Sequence, residues 1–500
     1  MDLAAKAARN SVYALVGFLY PTILTIVVTP IFIHYLGATR YGIYALSGVL
    51  FSFISLLDFG VAPTLLKFVS EHAARGELAN LNQTVAASLV FYAAIGVVGL
   101  LVASTIAVFF VGGLFHLSGD LASTAEFVLL VSGVSFLLSM LLSGLSSVPA
   151  GLQRFDLLTM LGIALQTPAA VANILVLHLG FGLRGVTIVG AVAPAVGLVV
   201  FTILNRKLLP GFRPIPRWNP QLLKKVFSFS AWAFVANLSG TILFQLDKIF
   251  IGTLSNVRAV TFYTVPGSVA QRLHTASASL SVVVLPLASD LLARGETERV
   301  KELYRRGARF VALFVCSVGI PLFVFAREIL HYWLGSDFAV NSTAVLRLLV
   351  LTYAILALTA IPYYVVMAAG RPRLAAIYGL AAAALNIILI VALIPPYGIV
   401  GAAVAYLVST VAAVPFIWYT ERRVLELEHS DWLSVVTQLV VPALAQTVAC
   451  VVLAAFVTNL VTLLIALCIA TPMLGVIFYS FGFGDPEDRA LLARLVLRRG

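Results

Sequence analysis

An arginine stands in the middle of an apolar run. Arg272, with Gln271 beside it and His274 two residues on, falls inside an apolar stretch over about 259–287. It lies about 13 residues from either end, too far for its side chain to reach the interface easily. An arginine at the centre of a membrane helix costs about 2.5–3.5 kcal/mol, so it normally faces a water-filled cavity or a partner. A guanidinium in a wet cavity would take an anion; inside the bundle it would pair with a carboxylate. Candidate carboxylate partners are Asp58, in the run 43–63, and Asp247, which closes the run 226–246 beside Lys248. Both are also candidates for coupling to a cation, although Asp247 and Lys248 could simply pair with each other. Arg40 and Arg258 sit in short turns between spans, where they could be structural or receive an anionic head group. Arg347 falls at the end of a run. Gln166 and Asn173, in the run 157–179, fit hydrogen bonds between helices.

The elements that must position these residues follow from composition. The 500 residues are 61% hydrophobic and 11% charged, with a mean hydropathy of +1.04. Soluble domains carry roughly 25% charged residues. Runs of about 20 apolar residues recur throughout, each enough to cross a ~30 Å hydrocarbon layer as a helix. They are too long and uniform for barrel strands, so the chain reads as an all-α polytopic membrane protein. Fourteen spans are expected, at about 11–33, 43–63, 84–111, 124–148, 157–179, 186–205, 226–246, 259–287, 310–326, 344–368, 374–394, 399–419, 433–457 and 460–481. Pro21 and Pro30 should kink the first.

The pattern occurs twice. Ile31-Phe32-Ile33 and Arg40 recur as Ile249-Phe250-Ile251 and Arg258. Ala74-Arg75-Gly76-Glu77 recurs as Ala293-Arg294-Gly295-Glu296, Asn173-Ile174 as Asn386-Ile387, and Phe181-Gly182 with Gly185 as Tyr397-Gly398 with Gly401. Ala150-Gly151 with Arg154 answers Ala369-Gly370 with Arg373. A long period with drifting offsets marks a duplicated domain. Six spans per copy leave both copies in the same orientation, as parallel repeats. The expected domains are a six-helix lobe (1–205), a basic linker (206–225), a second six-helix lobe (226–420), two added helices (421–481) and an amphipathic tail (482–500).

The net charge of +11 comes from loops of one side. Of the 32 Lys and Arg, 25 fall in the N-terminus, the loops after even-numbered spans and the tail. That bias places both termini in the cytoplasm. No basic run is interleaved with stacking aromatics, so nucleic acid is not an expected partner. Cys316, Cys450 and Cys468 lie in apolar runs and read as small buried hydrophobes, not as a metal site. Gly180–Gly185 formally fits a dinucleotide fingerprint but joins two membrane helices and reads as a tight turn. Asn82-Gln83-Thr84 and Asn341-Ser342-Thr343 fit glycosylation triplets of a kind common by chance. Without a Walker loop, HExxH or nucleophile elbow, no enzyme and no cofactor is expected.

Three stretches carry a family resemblance: LGATRYGIYALSGVL with LLDFGVAPTLLKFVSE, LDKIFIGTL with FYTVPGSVAQRL, and Ala368–Ser409. The chain resembles the polysaccharide transporter family, and the last stretch resembles helices 11 and 12 of O-antigen-type flippases. Their superfamily also holds the multidrug and toxin exporters and the lipid II flippases. The resemblance implies two lobes in a V around a cavity that opens alternately to either side. It implies an undecaprenyl-diphosphate-linked oligosaccharide as substrate, membrane lipids as surroundings, other polysaccharide-assembly membrane proteins as partners, and a monomer. It implies coupling to a proton or sodium gradient and residence in the cytoplasmic membrane, and it carries over Asp247 as an acidic position of family type. In that frame Arg272, Gln271, His274, Arg40, Arg258, Lys248 and Arg347 are the candidates to line the substrate cavity, with Asp58 and Asp247 for ion coupling. Ala259-Val260 departs from the pattern by replacing the Tyr41-Gly42 of the first repeat. The alternatives are a cation-coupled multidrug exporter and a lipid II flippase. An exporter of that kind usually has 12 spans and often an acid in its first helix, and the first span here has none.

Overall fold

The computed structural model describes residues 3–58, 61–214, 238, 240–427 and 431–480; every regular element among them is a helix. Most of the expected linker (215–225), most of the seventh span up to 239, and the expected tail (482–500) lie outside the described residues. The chain divides into two units, Met1–Thr261 and Phe262–Gly500.

The first unit holds α1 (Leu3–Ser55), a 3₁₀ turn (Leu56–Asp58), α2 (Val61–Ala74), α3 (Leu78–Thr105), a π turn (Ile106–Phe110), α4 (Val111–Leu114), α5 (Asp120–Gly151), α6 (Phe155–His178), α7 (Gly182–Leu208) and α8 (240–254). It also takes in the first turn of α9 (Val257–Ser281). The rest of α9 opens the second unit. There follow α10 (Val284–Ala293), α11 (Thr297–Val324), α12 (Ala326–Leu334), α13 (Ser336–Leu358), α14 (Ala360–Ala368), α15 (Pro372–Thr410), α16 (Ala413–Tyr419), a π turn (Thr420–Val424), α17 (Asp431–Ala454) and α18 (Leu460–Ser480).

Eleven described helical stretches are long and apolar enough to cross a bilayer. Two contain a glycine with non-helical backbone: Gly37 in α1 (φ 70°) and Gly398 in α15 (φ 56°). Each breaks its helix into two arms, because the left-handed region is accessible there without a Cβ penalty. Large apolar side chains such as Leu101, Phe109, Leu175 and Val476 are exposed along these helices, as they are where the surrounding solvent is lipid. Interiors are close-packed through small residues. A Cβ on Gly96 would stand 2.3 Å from Leu137 Cδ1, and one on Gly99 2.5 Å from Phe136 Cδ1, so α3 and α5 meet nearly backbone to backbone. In the second unit Gln446 Nε2 donates to Ser317 O (3.1 Å) and Ala470 O (2.8 Å), tying α17 to α11 and α18.

Two stretches that match in sequence also share local geometry. After α2 the Gly76 N–H bonds to Ala73 O and the Glu77 N–H to His72 O, with Gly76 at φ 69°. After α10 the Gly295 N–H bonds to Leu292 O and the Glu296 N–H to Leu291 O, with Gly295 at φ 73°. Both are helix stops built on a left-handed glycine. Both are braced by an i,i+4 ion pair, Arg75–Glu71 (2.8 Å) and Arg294–Asp290 (2.9 Å). The turn before α6 matches the turn before α15 with a different register from the sequence alignment: Gln153 (φ 55°) answers Gly370 (φ 69°), and Arg154 and Arg371 each precede the helix.

Several expectations are corrected. The segment between the expected spans 310–326 and 344–368 is helical in α12 and α13, apart from a break at Gly335. Only Cys450 is fully buried; Cys316 is half-buried and Cys468 exposed. Asn82 is a clamp: Nδ2 donates to Gly211 O (3.0 Å) and Oδ1 accepts from Arg213 N (3.1 Å).

The change from Tyr41-Gly42 to Ala259-Val260 also has a physical reason. A Cβ on Gly42 would stand 2.1 Å from the Val257 carbonyl oxygen, and Thr261 Oγ1 donates to Ala38 O at 2.6 Å. The second arm of α1 thus lies directly on the first turn of α9. Only one of two crossing helices must be bare for such an approach.

Candidate functional site

On α9 the packed face is formed by Ala270, Leu273, Ser277 and Ser281, spaced three and four apart and all buried. Thr275, Ser277, Ser279 and Ser281 each donate to the carbonyl four residues earlier, so these hydroxyls are satisfied within the helix. Arg272 projects from another face, with Ser268, Ala276 and Ser279 as its small neighbours at helical spacing. It is half-buried, and among the described residues it has no hydrogen bond or ion pair. Gln271 beside it is likewise half-buried, with no side-chain hydrogen bond among the described residues. His274 turns to the packed side, its imidazole against the Leu356 carbonyl of α13.

The other candidates are engaged. Arg347 Nε donates to Phe323 O at 3.2 Å, and its guanidinium lies 5.6 Å from the Phe323 ring centroid. It therefore satisfies a carbonyl in the last turn of α11 and holds α13 against it. In the first unit, Arg40 pairs with Asp120 at 3.2 Å, both exposed. Lys248 Nζ donates to Phe244 O (2.9 Å) and Gln245 Oε1 (2.6 Å) on its own helix. Asp247 is 1% exposed, and its Oδ1 accepts the Lys248 N–H at 2.8 Å. Asp58 is half-buried and faces the fully buried Tyr92 phenol. Arg258 is exposed in the first turn of α9. Among the candidates, Arg272 is thus the guanidinium without a hydrogen bond or ion pair among the described residues, with the neutral amide of Gln271 beside it. Among the described residues no three His, Cys, Asp or Glu side chains converge as a metal site.

The seam between α1 and α6 was not anticipated. Thr159, Gln166 and Asn173 recur every seven residues on α6, and Tyr13 and Tyr20 do so on α1. Thr159 Oγ1 donates to Tyr13 O (3.1 Å), and the Tyr20 hydroxyl bonds Thr167. Two cavities of about 210 and 250 Å³ open along this seam and share Gln166. Gln166 and Asn173 make no hydrogen bond among the described residues, contrary to the role expected for them, and Asn173 Oδ1 is buried without a partner. The seven-residue polar spacing on two neighbouring spans was the signal in the sequence.

Among the described residues, regular structure that is all helical, eleven candidate spans, two alike turns and an intramembrane arginine without a hydrogen bond or ion pair define a multi-pass membrane protein of transporter type. The chain belongs to the polysaccharide biosynthesis protein family, whose model matches residues 35–343. It is 22% identical over 416 residues to a Shigella flexneri protein that carries the name of an O-antigen transporter, covering 81% of this chain and 94% of that one. It is 25% identical over 414 residues to a Haloferax volcanii protein that carries the name of a low-salt glycan biosynthesis flippase, covering 82% and 81%. Among solved structures it resembles the lipid II flippase MurJ in an inward closed conformation (TM-score 0.64, 14% identity, 94% of this chain and 99% of that one). It also resembles an inward-facing multidrug transporter of the MATE family (TM-score 0.67, 13% identity, 83% and 99%). At these identities the solved structures define the fold.

Proposed function

We propose that this protein is a flippase that moves undecaprenyl-diphosphate-linked oligosaccharides across the cytoplasmic membrane by alternating access, for cell-surface polysaccharide synthesis. The observation that carries the reading is Arg272, a half-buried guanidinium with no hydrogen bond or ion pair among the described residues. A diphosphate entering a bilayer needs cationic hydrogen-bond donors, and the guanidinium fork matches phosphate oxygens two at a time. The family and its named relatives support the substrate class.

The topology we assign has fourteen crossings. Eleven apolar stretches become thirteen when α1 and α15 are divided at Gly37 and Gly398, and the apolar run 226–246 of the sequence supplies the last. The matched turns at Gly76 and Gly295 support two parallel six-helix repeats plus α17 and α18. The Lys and Arg bias supports cytoplasmic termini. Coupling to a proton or sodium gradient is assigned to Asp58 and Asp247.

The test is translocation in liposomes. Purified full-length protein should move a fluorescent undecaprenyl-diphosphate oligosaccharide between leaflets faster than protein-free vesicles do. Extrusion of cationic dyes without movement of that lipid would replace this reading by a drug exporter.

A further inference from the structure

We propose that the cleft between α1 and α6 binds a neutral sugar ring. The inference rests on the flippase reading and assigns the glycan part of its substrate to a site separate from Arg272.

The argument starts from what the cleft lacks. None of the residues lining either cavity is charged. A bound cation would call for carboxylates, and a phosphate for Arg or Lys. The cleft offers two amides and several hydroxyls instead. Gln166 is the twelfth of the 24 residues of α6, at the middle of a span, and it is exposed with no partner among the described residues. Asn173 follows two turns later, about 10 Å along the axis, its carbonyl oxygen buried and unbonded. An amide left unsatisfied in hydrocarbon costs several kcal/mol, a cost that water or a polar ligand in the cleft would offset. Thr25 and Thr29 donate their protons to Pro21 O and Thr25 O, at 2.7 Å each, which leaves their oxygens as acceptors.

The cleft also offers flat apolar surface. Tyr41 and Tyr44 line it beside Phe32, with the Tyr41 and Tyr44 rings 5.9 Å apart. A sugar ring has this same duality: hydroxyl or acetamido groups around its edge and C–H bonds on its faces. The adjoining cavities approach the volume of small-ligand clefts, about 300–1,000 Å³. The hydroxyls and amides are spread along the seam, as an extended glycan would require.

The test uses full-length protein in detergent and two probes: undecaprenyl diphosphate carrying a neutral N-acetylhexosamine disaccharide, and bare undecaprenyl diphosphate. Wild type should bind the glycosylated probe more tightly. Gln166→Leu with Asn173→Leu should weaken the glycosylated probe about tenfold and leave the bare lipid unchanged. Equal wild-type and variant affinities for both probes would overturn the sugar site while leaving the flippase reading intact. Equal losses for both probes would overturn it too, because the cleft would not be reading sugar. Binding of neither probe by wild type would defeat the flippase reading and this inference with it. Should the double variant fail to fold, Gln166→Cys in a chain with Cys316, Cys450 and Cys468 changed to Ala decides the matter. A membrane-impermeant maleimide should label it, and the glycosylated probe should slow the labelling. Absence of labelling would mean a lipid-facing groove and would end the proposal.

Discussion

The two units treat matching helices differently. In the first, α6 buries only Leu177; its amides open onto a cleft, and Asn173 is half-exposed. In the second, α15 buries Ala382, Ala383, Ile390 and Ile394, and with them Asn386, the sequence match of Asn173, at 1% exposure. The turns that follow remain alike: Gly182 and Gly398 both have φ 56°, and Gly185 and Gly401 each pack on the aromatic residue four positions earlier. The turn chemistry is alike in the two and the helix faces differ. The first unit has an open polar seam; the second buries Asn386 and carries on α9 an arginine with no hydrogen bond or ion pair among the described residues.

Substitutions at matched positions sharpen this contrast. The largest effect is expected at the turns. A Cβ on Gly401 would lie 2.1 Å from the Leu393 carbonyl oxygen, whereas one on Gly185 would meet Phe181 Cβ at 2.7 Å. Overpacking of this kind costs about 1–3 kcal/mol. Thermal unfolding in detergent should show Gly401→Ala losing more than Gly185→Ala, because its Cβ would meet fixed backbone at the shorter distance. Equal losses would mean that the two turns are equally tight.

The asparagine pair comes next. Asn386 Oδ1 is buried without a hydrogen bond among the described residues. Replacing an unsatisfied buried polar group by an apolar one of similar size removes a penalty of about 1–3 kcal/mol. Asn386→Leu should therefore unfold at the wild-type temperature or above, and Asn173→Leu, whose side chain is half-exposed, should shift in the same direction by less. A clear loss at Asn386 would show that its amide is satisfied in the folded protein.

The smallest effect concerns pH. Glu77 Oε2 accepts from Asn80 Nδ2 at 2.9 Å and lies 2.9 Å from His72 Nδ1; these bonds hold its carboxyl below the usual range. A depressed folded pKa adds stability above the unfolded value, about 4.3, and that stability is lost as pH falls through the folded value. Wild type should lose slightly more thermal stability than Glu77→Gln between about pH 5 and pH 3. Parallel curves would remove Glu77 from the account.

The sequence made the membrane class, the duplicated turns and Arg272 legible, because each rests on local chemistry: apolar length, a left-handed glycine, a charge amid lipid-soluble residues. Arg347 was misjudged for the opposite reason, since its partner is a carbonyl on another helix, 24 positions away. Gln166 and Asn173 were seen but read as helix–helix bonds, because composition does not say whether a polar seam closes or stays open. The burial of Asn386 against the exposure of α6 depends on packing that no single helix encodes.

The central claim is that Arg272 receives the diphosphate, and translocation of the fluorescent undecaprenyl-diphosphate oligosaccharide by Arg272→Ala, Arg272→Lys and Arg347→Ala tests it most directly. The account predicts that Arg272→Ala folds with wild-type thermal stability and loses translocation, that Arg272→Lys restores part of it, and that Arg347→Ala is destabilised, with translocation falling only as folded protein is lost. Wild-type translocation by Arg272→Ala would contradict the account.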